Sequence, residues 1–232
     1  MKGAAMAKEV EQVEPLALFL GKVKGCVNEN INQIAAIGSI VLLIVAGAGY
    51  WKYSAIKAEK ASFSNFSKAL TVLGKEVKSG AEREVNSQQA LKVLEGVIAR
   101  YPNTKTGVAS LYYSGNCCLT LKDYDLAIDF YNNFLKKSGD SFIYLKALAY
   151  EGLGYAYEGK GEFTKAIEWF EKQRSQETAD ISVALLSIAR CYELSGDKAL
   201  ACKSYQDFKT ENLSSSFMES VDMKLSELCL SK

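Results

Sequence analysis

The sequence predicts an all-α protein, a single transmembrane helix followed by a solenoid of helical hairpins. Three observations carry this. Only two prolines occur in 232 residues and strand-like alternating runs are few, which favours helix over sheet. The stretch Ile31 to Trp51, INQIAAIGSIVLLIVAGAGYW, contains no charged residue. Past about residue 80, one pattern of small and aromatic residues returns at nearly fixed spacing.

Residues 1–30 form a mixed, charged tail. Within it, Pro15 to Val27 has helical apolar spacing at Leu16, Phe19, Leu20 and Val23, with Pro15 suited to a helix start. Two readings are open, an amphipathic helix on a membrane surface or a disordered tail.

Residues 31–53 predict the membrane helix. About 20 residues at 1.5 Å each span the hydrocarbon of a bilayer. The eight Ile, Leu and Val residues from Ile34 to Val45 each favour insertion by about 0.3–0.6 kcal/mol. Tyr50, Trp51 and Tyr53 supply an aromatic belt at the headgroups, and Gly38, Ser39, Gly47 and Gly49 allow close helix contact. A cleaved signal peptide would use Ala46-Gly47-Ala48, but about 30 residues with several acids precede this apolar run.

Residues 54–84 predict a long juxtamembrane helix and a connection. Ala55, Ile56, Ala58, Phe63, Phe66, Leu70 and Leu73 make one apolar stripe, and Ser79 to Ser87 reads as a polar linker. Residues 85–232 hold the hairpins, closed by a helix from Phe217 to Leu230 entered through Ser214 to Ser216. That last helix is expected to cover the final apolar face.

The hairpin pattern is clearest from Leu153 to Phe170. Gly154 allows a close crossing, Tyr157 follows three residues on, and Gly159-Lys160-Gly161 breaks the helix. Ala166 and Phe170 then lie on the inner face of the returning helix. Ile188 to Tyr205 aligns without a gap, with Ala189, Tyr192, Gly196, Ala201 and Tyr205 at matching places. Ser114 to Tyr131 aligns through Gly115, Ala127 and Tyr131, with Cys118 where the first aromatic stands elsewhere. A weaker copy supplies Ala90, Leu94, Val97 and Pro102. The crossing alanines Ala90, Ala127, Ala166 and Ala201 recur every 35–39 residues or so, the period of a helical-hairpin array.

Over about residues 85–210 this pattern resembles the tetratricopeptide repeat family. The family's terminal Pro survives only as Pro102. The order of tail, membrane helix, Gly49-Tyr50-Trp51-Lys52-Tyr53 junction, Ala/Ser/Phe helix and repeats further resembles the bacterial YfgM-type inner-membrane proteins, ancillary subunits of the Sec translocon. That resemblance implies a periplasmic array contacting translocon subunits, periplasmic chaperones or emerging chains. Charge counting points the other way. Lys22 and Lys24 precede the apolar helix, whereas Lys52, Lys57, Lys60 and Lys68 follow it, which favours a cytoplasmic array.

Several chemistries are excluded or disfavoured. The absence of histidine removes the commonest general base and metal ligand. A net charge of +1 gives no electrostatic footprint for nucleic acid. The glycines fall at crossings and turns, so no phosphate loop remains. The acid pairs Glu168/Glu171 and Asp123/Asp125 read as solvated surface. No cofactor, metal or catalytic residue is expected. Of the six cysteines, Cys26, Cys117, Cys118, Cys191, Cys202 and Cys229, none has zinc-site spacing. Most sit within helices beside apolar residues and read as small buried hydrophobes. Cys191 and Cys202 flank one turn almost symmetrically, so the alternative is a disulfide across the hairpin in an oxidising compartment, provided the helix crossing brings their α-carbons within about 7 Å.

A hairpin array presents a groove lined by its first helices. Helical phase places Tyr112, Asn116, Glu151, Tyr155, Glu158, Leu186, Arg190 and Glu193 there. This mixture suits an extended or helical peptide. A clamp for terminal carboxylates is disfavoured, because Tyr112 and Glu151 stand where cations would be wanted. The expectation is a non-catalytic, membrane-anchored scaffold for protein partners. The alternatives are a cytoplasm-facing adaptor, an envelope-assembly factor and the regulatory subunit of a membrane enzyme.

Overall fold

A helix can approach another closely only where one of them carries little side chain, and this rule positions most of the chain. The structure is a computed structural model and describes residues 18–24, 30–178, 180–211 and 216–229. The described residues are helical or in turns and short connections, with no strand among them. The principal helices are α1 (Ile31–Leu73), α2 (Gly80–Arg100), α3 (Lys105–Thr120), α4 (Tyr124–Lys137), α5 (Ile143–Gly159), α6 (Phe163–Arg174), α7 (Ile181–Leu194), α8 (Lys198–Glu211) and α9 (Met218–Cys229). A 3₁₀ turn, Asp140–Phe142, precedes α5. The chain divides into two compact units, one up to Ile56 and one from Lys57 onward.

In the first unit, residues 18–24 are helical and the remainder of the Pro15–Val27 segment lies outside the described residues. The apolar part of α1 is exposed among the described residues, and α1 is long and apolar enough to cross a membrane. Tyr50, Trp51 and Tyr53 are exposed. The Ser39 hydroxyl donates to the Ala35 carbonyl at 2.8 Å, so its polarity is satisfied within the helix.

The second unit is built of the hairpins α3/α4, α5/α6 and α7/α8. At the Gly154 crossing, an added Cβ would come within 2.4 Å of the Phe170 ring, and at Gly115 within 2.6 Å of Tyr131. Tyr131 also fills the space over Gly152, 2.4 Å from where a Cβ would stand. One fully buried ring therefore locks its own hairpin and the next one. Ala90, Ala127, Ala166 and Ala201 are all fully buried, as their spacing predicts.

The three hairpin turns have the same backbone. Asp123, Glu162 and Asp197 donate their N–H to the carbonyls of Cys118, Tyr157 and Tyr192, each at 2.9 Å. This is the Schellman closure, which places the preceding residue in the left-handed region. Gly161 (φ 76°) and Gly196 (φ 85°) meet that demand without a side chain, whereas Lys122 (φ 59°) meets it with one.

At the front of the array, Phe66 and Ala69 of α1 pack with Ala90 and Leu94 of α2 and Cys117 of α3. The polar linker expected over Ser79 to Ser87 is a correction. Ser79 is the N-cap of α2, its side chain accepting from the Glu82 N–H, and the helix begins at Gly80. Ser87 is buried. Polar residues in the first turns satisfied open helix amides instead of marking a loop.

At the rear, Val221 of α9 is buried against Leu185, Ala189, Tyr205 and Phe208, with Leu225 and Leu228 beside it. The expected capping residues Ser214 and Ser215, and Leu230, lie outside the described residues. The cysteine pairing is also a correction. Cys202 is bonded to Cys229, with Cα atoms 5.8 Å apart, and Cys191 is a free, buried thiol. Cys191 faces inward toward α5 and α6, packed with Ala166, Phe170 and Ile188. Symmetry about the turn gave sequence proximity but the wrong face of the helix.

Candidate functional site

The eight residues chosen by helical phase fall on the first helices α3, α5 and α7. One pair among them, Glu158 and Arg190, is hydrogen-bonded from one hairpin to the next.

On α3, Tyr112 is buried. Its ring tilts against Tyr131 and Phe134 at 6.1 and 5.8 Å between centroids, so it belongs to the core. Asn116 is half-buried and its Oδ1 accepts from the Tyr131 hydroxyl at 2.5 Å. Burial holds both tyrosine hydroxyls above their ordinary pKa.

On α5, Glu151 accepts from the Gln173 amide of α6 at 3.1 Å. Burial, the largest influence, holds the Glu151 carboxyl above its ordinary value; the Tyr155 hydroxyl pulls it down and Asp180 adds to the rise. Tyr155 meets Phe170 edge-on at 5.2 Å. Burial also raises its hydroxyl, with Ser187 acting in the opposite sense.

Glu158 and Arg190 join α5 to α7. Arg190 donates two hydrogen bonds, at 2.8 and 2.7 Å, in the planar fork that suits guanidinium and carboxylate. The guanidinium also lies 5.6 Å from the centre of the Tyr155 ring. Glu193 of α7 accepts from Tyr205 of α8 at 3.1 Å and from Lys224 of α9 at 2.6 Å. Leu186 is half-buried in the rear core.

The structure thus brings Glu151, Tyr155, Glu158 and Arg190 together, while Tyr112 and Leu186 pack inward and Glu193 is tied to the end of the array. Three thiols among the described residues, Cys117, Cys118 and Cys191, are free and buried. Burial pushes Cys117 up to about 11, and Cys118 and Cys191 up to about 12, so each stays protonated at neutral pH.

Gln173 escaped the sequence reading. The hairpin alignment sets it opposite Phe134 and Phe208, both fully buried, and sets Glu151 opposite Tyr112 and Leu186. Two hairpins therefore fill this position with an apolar pair, and the middle hairpin fills it with a glutamate and a glutamine. Carrying the alignment three residues past Phe170 would have revealed the exception. Glu59 gave no comparable signal. Its carboxylate accepts from the Lys105 and Thr106 amides at 2.8 and 2.9 Å and from the Thr106 hydroxyl, across a sequence separation that no local pattern encodes.

A family model described as tetratricopeptide repeat matches residues 86–142 and again 133–179, and a second model of that description matches 183–212. Together they span more than half of the chain. Among solved structures, the chain is similar to "MamA RS-1 ArsTM double mutant", at 18% identity and a TM-score of 0.45, covering 69% of this chain and 97% of that one. No curated protein matches.

Proposed function

The chain belongs to the tetratricopeptide-repeat family, and from that premise we propose a membrane-anchored, non-catalytic scaffold that binds protein partners along α3, α5 and α7. The observation that carries this reading is α1, in which the uncharged, membrane-length stretch and the first packing residues of the array, Phe66 and Ala69, share one helix. A partner held on the array would be held at a membrane.

The finer reading is a single-pass protein of the bacterial inner membrane, its anchor within residues 31–53 and its array in the periplasm. There it would serve as an ancillary factor of the Sec translocon and the periplasmic chaperone network. The Cys202–Cys229 disulfide supports a periplasmic array, because such bonds persist in oxidising compartments and are rare in the cytosol. The lysines flanking the apolar stretch favour the opposite orientation, which makes a cytoplasm-facing adaptor the second reading.

Protease treatment of intact spheroplasts separates the two. Digestion of the array is the expected result, and its protection until lysis would overturn the periplasmic orientation. Purification in mild detergent addresses the partner. Recovery of translocon subunits supports the finer reading, and recovery of one enzyme alone would replace it with a regulatory subunit.

A further inference from the structure

We propose that Glu151 forms a subsite for a basic side chain, Lys or Arg, of a bound polypeptide segment. The inference rests on the scaffold reading above and names what its groove selects.

Three carboxylates stand on the first-helix face, and two are already neutralised. Glu158 is held by Arg190 and Glu193 by Lys224. Glu151 has no ion pair among the described residues, and the groups that bond to it, the Gln173 amide and the Tyr155 hydroxyl, are neutral. A carboxylate has room for about four donors, so Glu151 retains acceptor capacity.

The second observation is Gln173. It is only 2% exposed. Its Nε2 reaches Glu151, and its Oε1 has no hydrogen-bond partner. A buried acceptor without a donor carries a desolvation cost, and the neighbouring hairpins avoid that cost with Phe134 and Phe208. The Glu151–Gln173 pair therefore weakens packing at a place where the same fold tolerates apolar residues. Such departures are expected where a ligand uses the polar groups.

The chemistry of the surroundings selects a cation. The Tyr155 hydroxyl feels the Glu151 charge, and the Tyr155 ring already lies beside one guanidinium, that of Arg190. Rings beside a carboxylate attract an ammonium or guanidinium through both charge and quadrupole. Leu148 and Tyr144 lie about one and two turns before Glu151 and are 43% and 70% exposed, on the same side of α5 by helical spacing. They offer apolar contact to residues flanking the basic one.

The test uses the full-length protein in detergent micelles and pools of ten-residue peptides. One central position is fixed as Lys, Arg, Glu, Leu or Ala, and the others are degenerate. The Lys and Arg pools are expected to bind about tenfold better than the Glu pool, as one charge-assisted contact provides. The Glu151→Gln protein should lose that preference while retaining the Leu pool. Carbodiimide coupling of the Lys pool to the unmodified protein gives an independent readout, and the new amide should form at Glu151. Binding without a basic preference, a preference that survives Glu151→Gln, or coupling only at other carboxylates would overturn the subsite and leave the groove intact. Failure of every pool to bind would overturn the groove reading itself, and the subsite with it.

Discussion

The two ends of the repeat unit are secured by different physics. At the front, Glu59 of α1 places a carboxylate against the first amides of α3, where the open N–H groups and the helix dipole both favour negative charge. At the rear, α9 is held by the Cys202–Cys229 disulfide and by two ion pairs, Lys224–Glu193 and Lys209–Asp222. The front fastening is noncovalent and indifferent to redox conditions. The rear fastening depends on the compartment. In an array whose units touch only their neighbours, each end can loosen by itself, so the ends can be probed separately.

Reduction should have the largest effect. The disulfide joins residues 27 apart, and closing a loop of that length contributes about 3–4 kcal/mol in the chain-entropy model. Reduction, or Cys202→Ser, should therefore raise hydrogen exchange throughout α9 and expose the rear apolar face of Tyr205 and Phe208, leaving α2 and α3 unchanged. Equal loss of protection at both ends would show that the array unfolds as one unit. Glu59→Ala ranks second. It removes a charged acceptor from two amides and a hydroxyl, a cost of about 2 kcal/mol. Exchange at the Lys105 and Thr106 amides should accelerate while α9 stays protected, the mirror image of the first result.

The sequence and the structure agree in an equally uneven way. The hairpins were legible because helix period, small residues and turn glycines are local signals. Gly154, Ala166 and Phe170 announce one crossing from within a single short segment. The long-range fastenings were not legible. The Glu59 carboxylate reaches an amide 46 residues away, and the cysteine reading chose Cys191 over Cys229 because proximity in sequence says little about which helix face a thiol occupies. The candidate site lay between these cases. Helical phase set Glu151, Tyr155, Glu158 and Arg190 on the first helices, but gave no sign that Arg190 neutralises Glu158, nor that Gln173 stands behind Glu151. Those facts arise from packing between helices.

Lys122 gives a smaller effect, located between the ends. It occupies the left-handed position that Gly161 and Gly196 occupy in the later turns. A side chain there costs about 1–2 kcal/mol relative to glycine, partly offset by the greater freedom of glycine in the unfolded chain. Lys122→Gly should therefore stabilise the α3/α4 hairpin by about 0.5–1 kcal/mol in denaturant titration. A loss of stability would mean that the Lys122 side chain contributes more than its backbone strain costs.

The smallest effect sharpens the comparison most. Lys224 and Glu193 are partly exposed, 34% and 25% for the side chains, so solvent screening limits their pairing to about 0.5 kcal/mol. In the oxidised protein Lys224→Ala should barely change exchange in α9, because the covalent bond already holds that helix near its seat. In the reduced protein the same substitution acts on a helix held noncovalently, through Val221, Leu225, Leu228 and its ion pairs among other contacts, and its loss should register directly in the population of detached α9. A larger effect of Lys224→Ala under reduction than under oxidation identifies the disulfide as the dominant rear fastening. Equal effects in both states would assign the seating of α9 to apolar burial and make the redox contrast between the two ends a minor one.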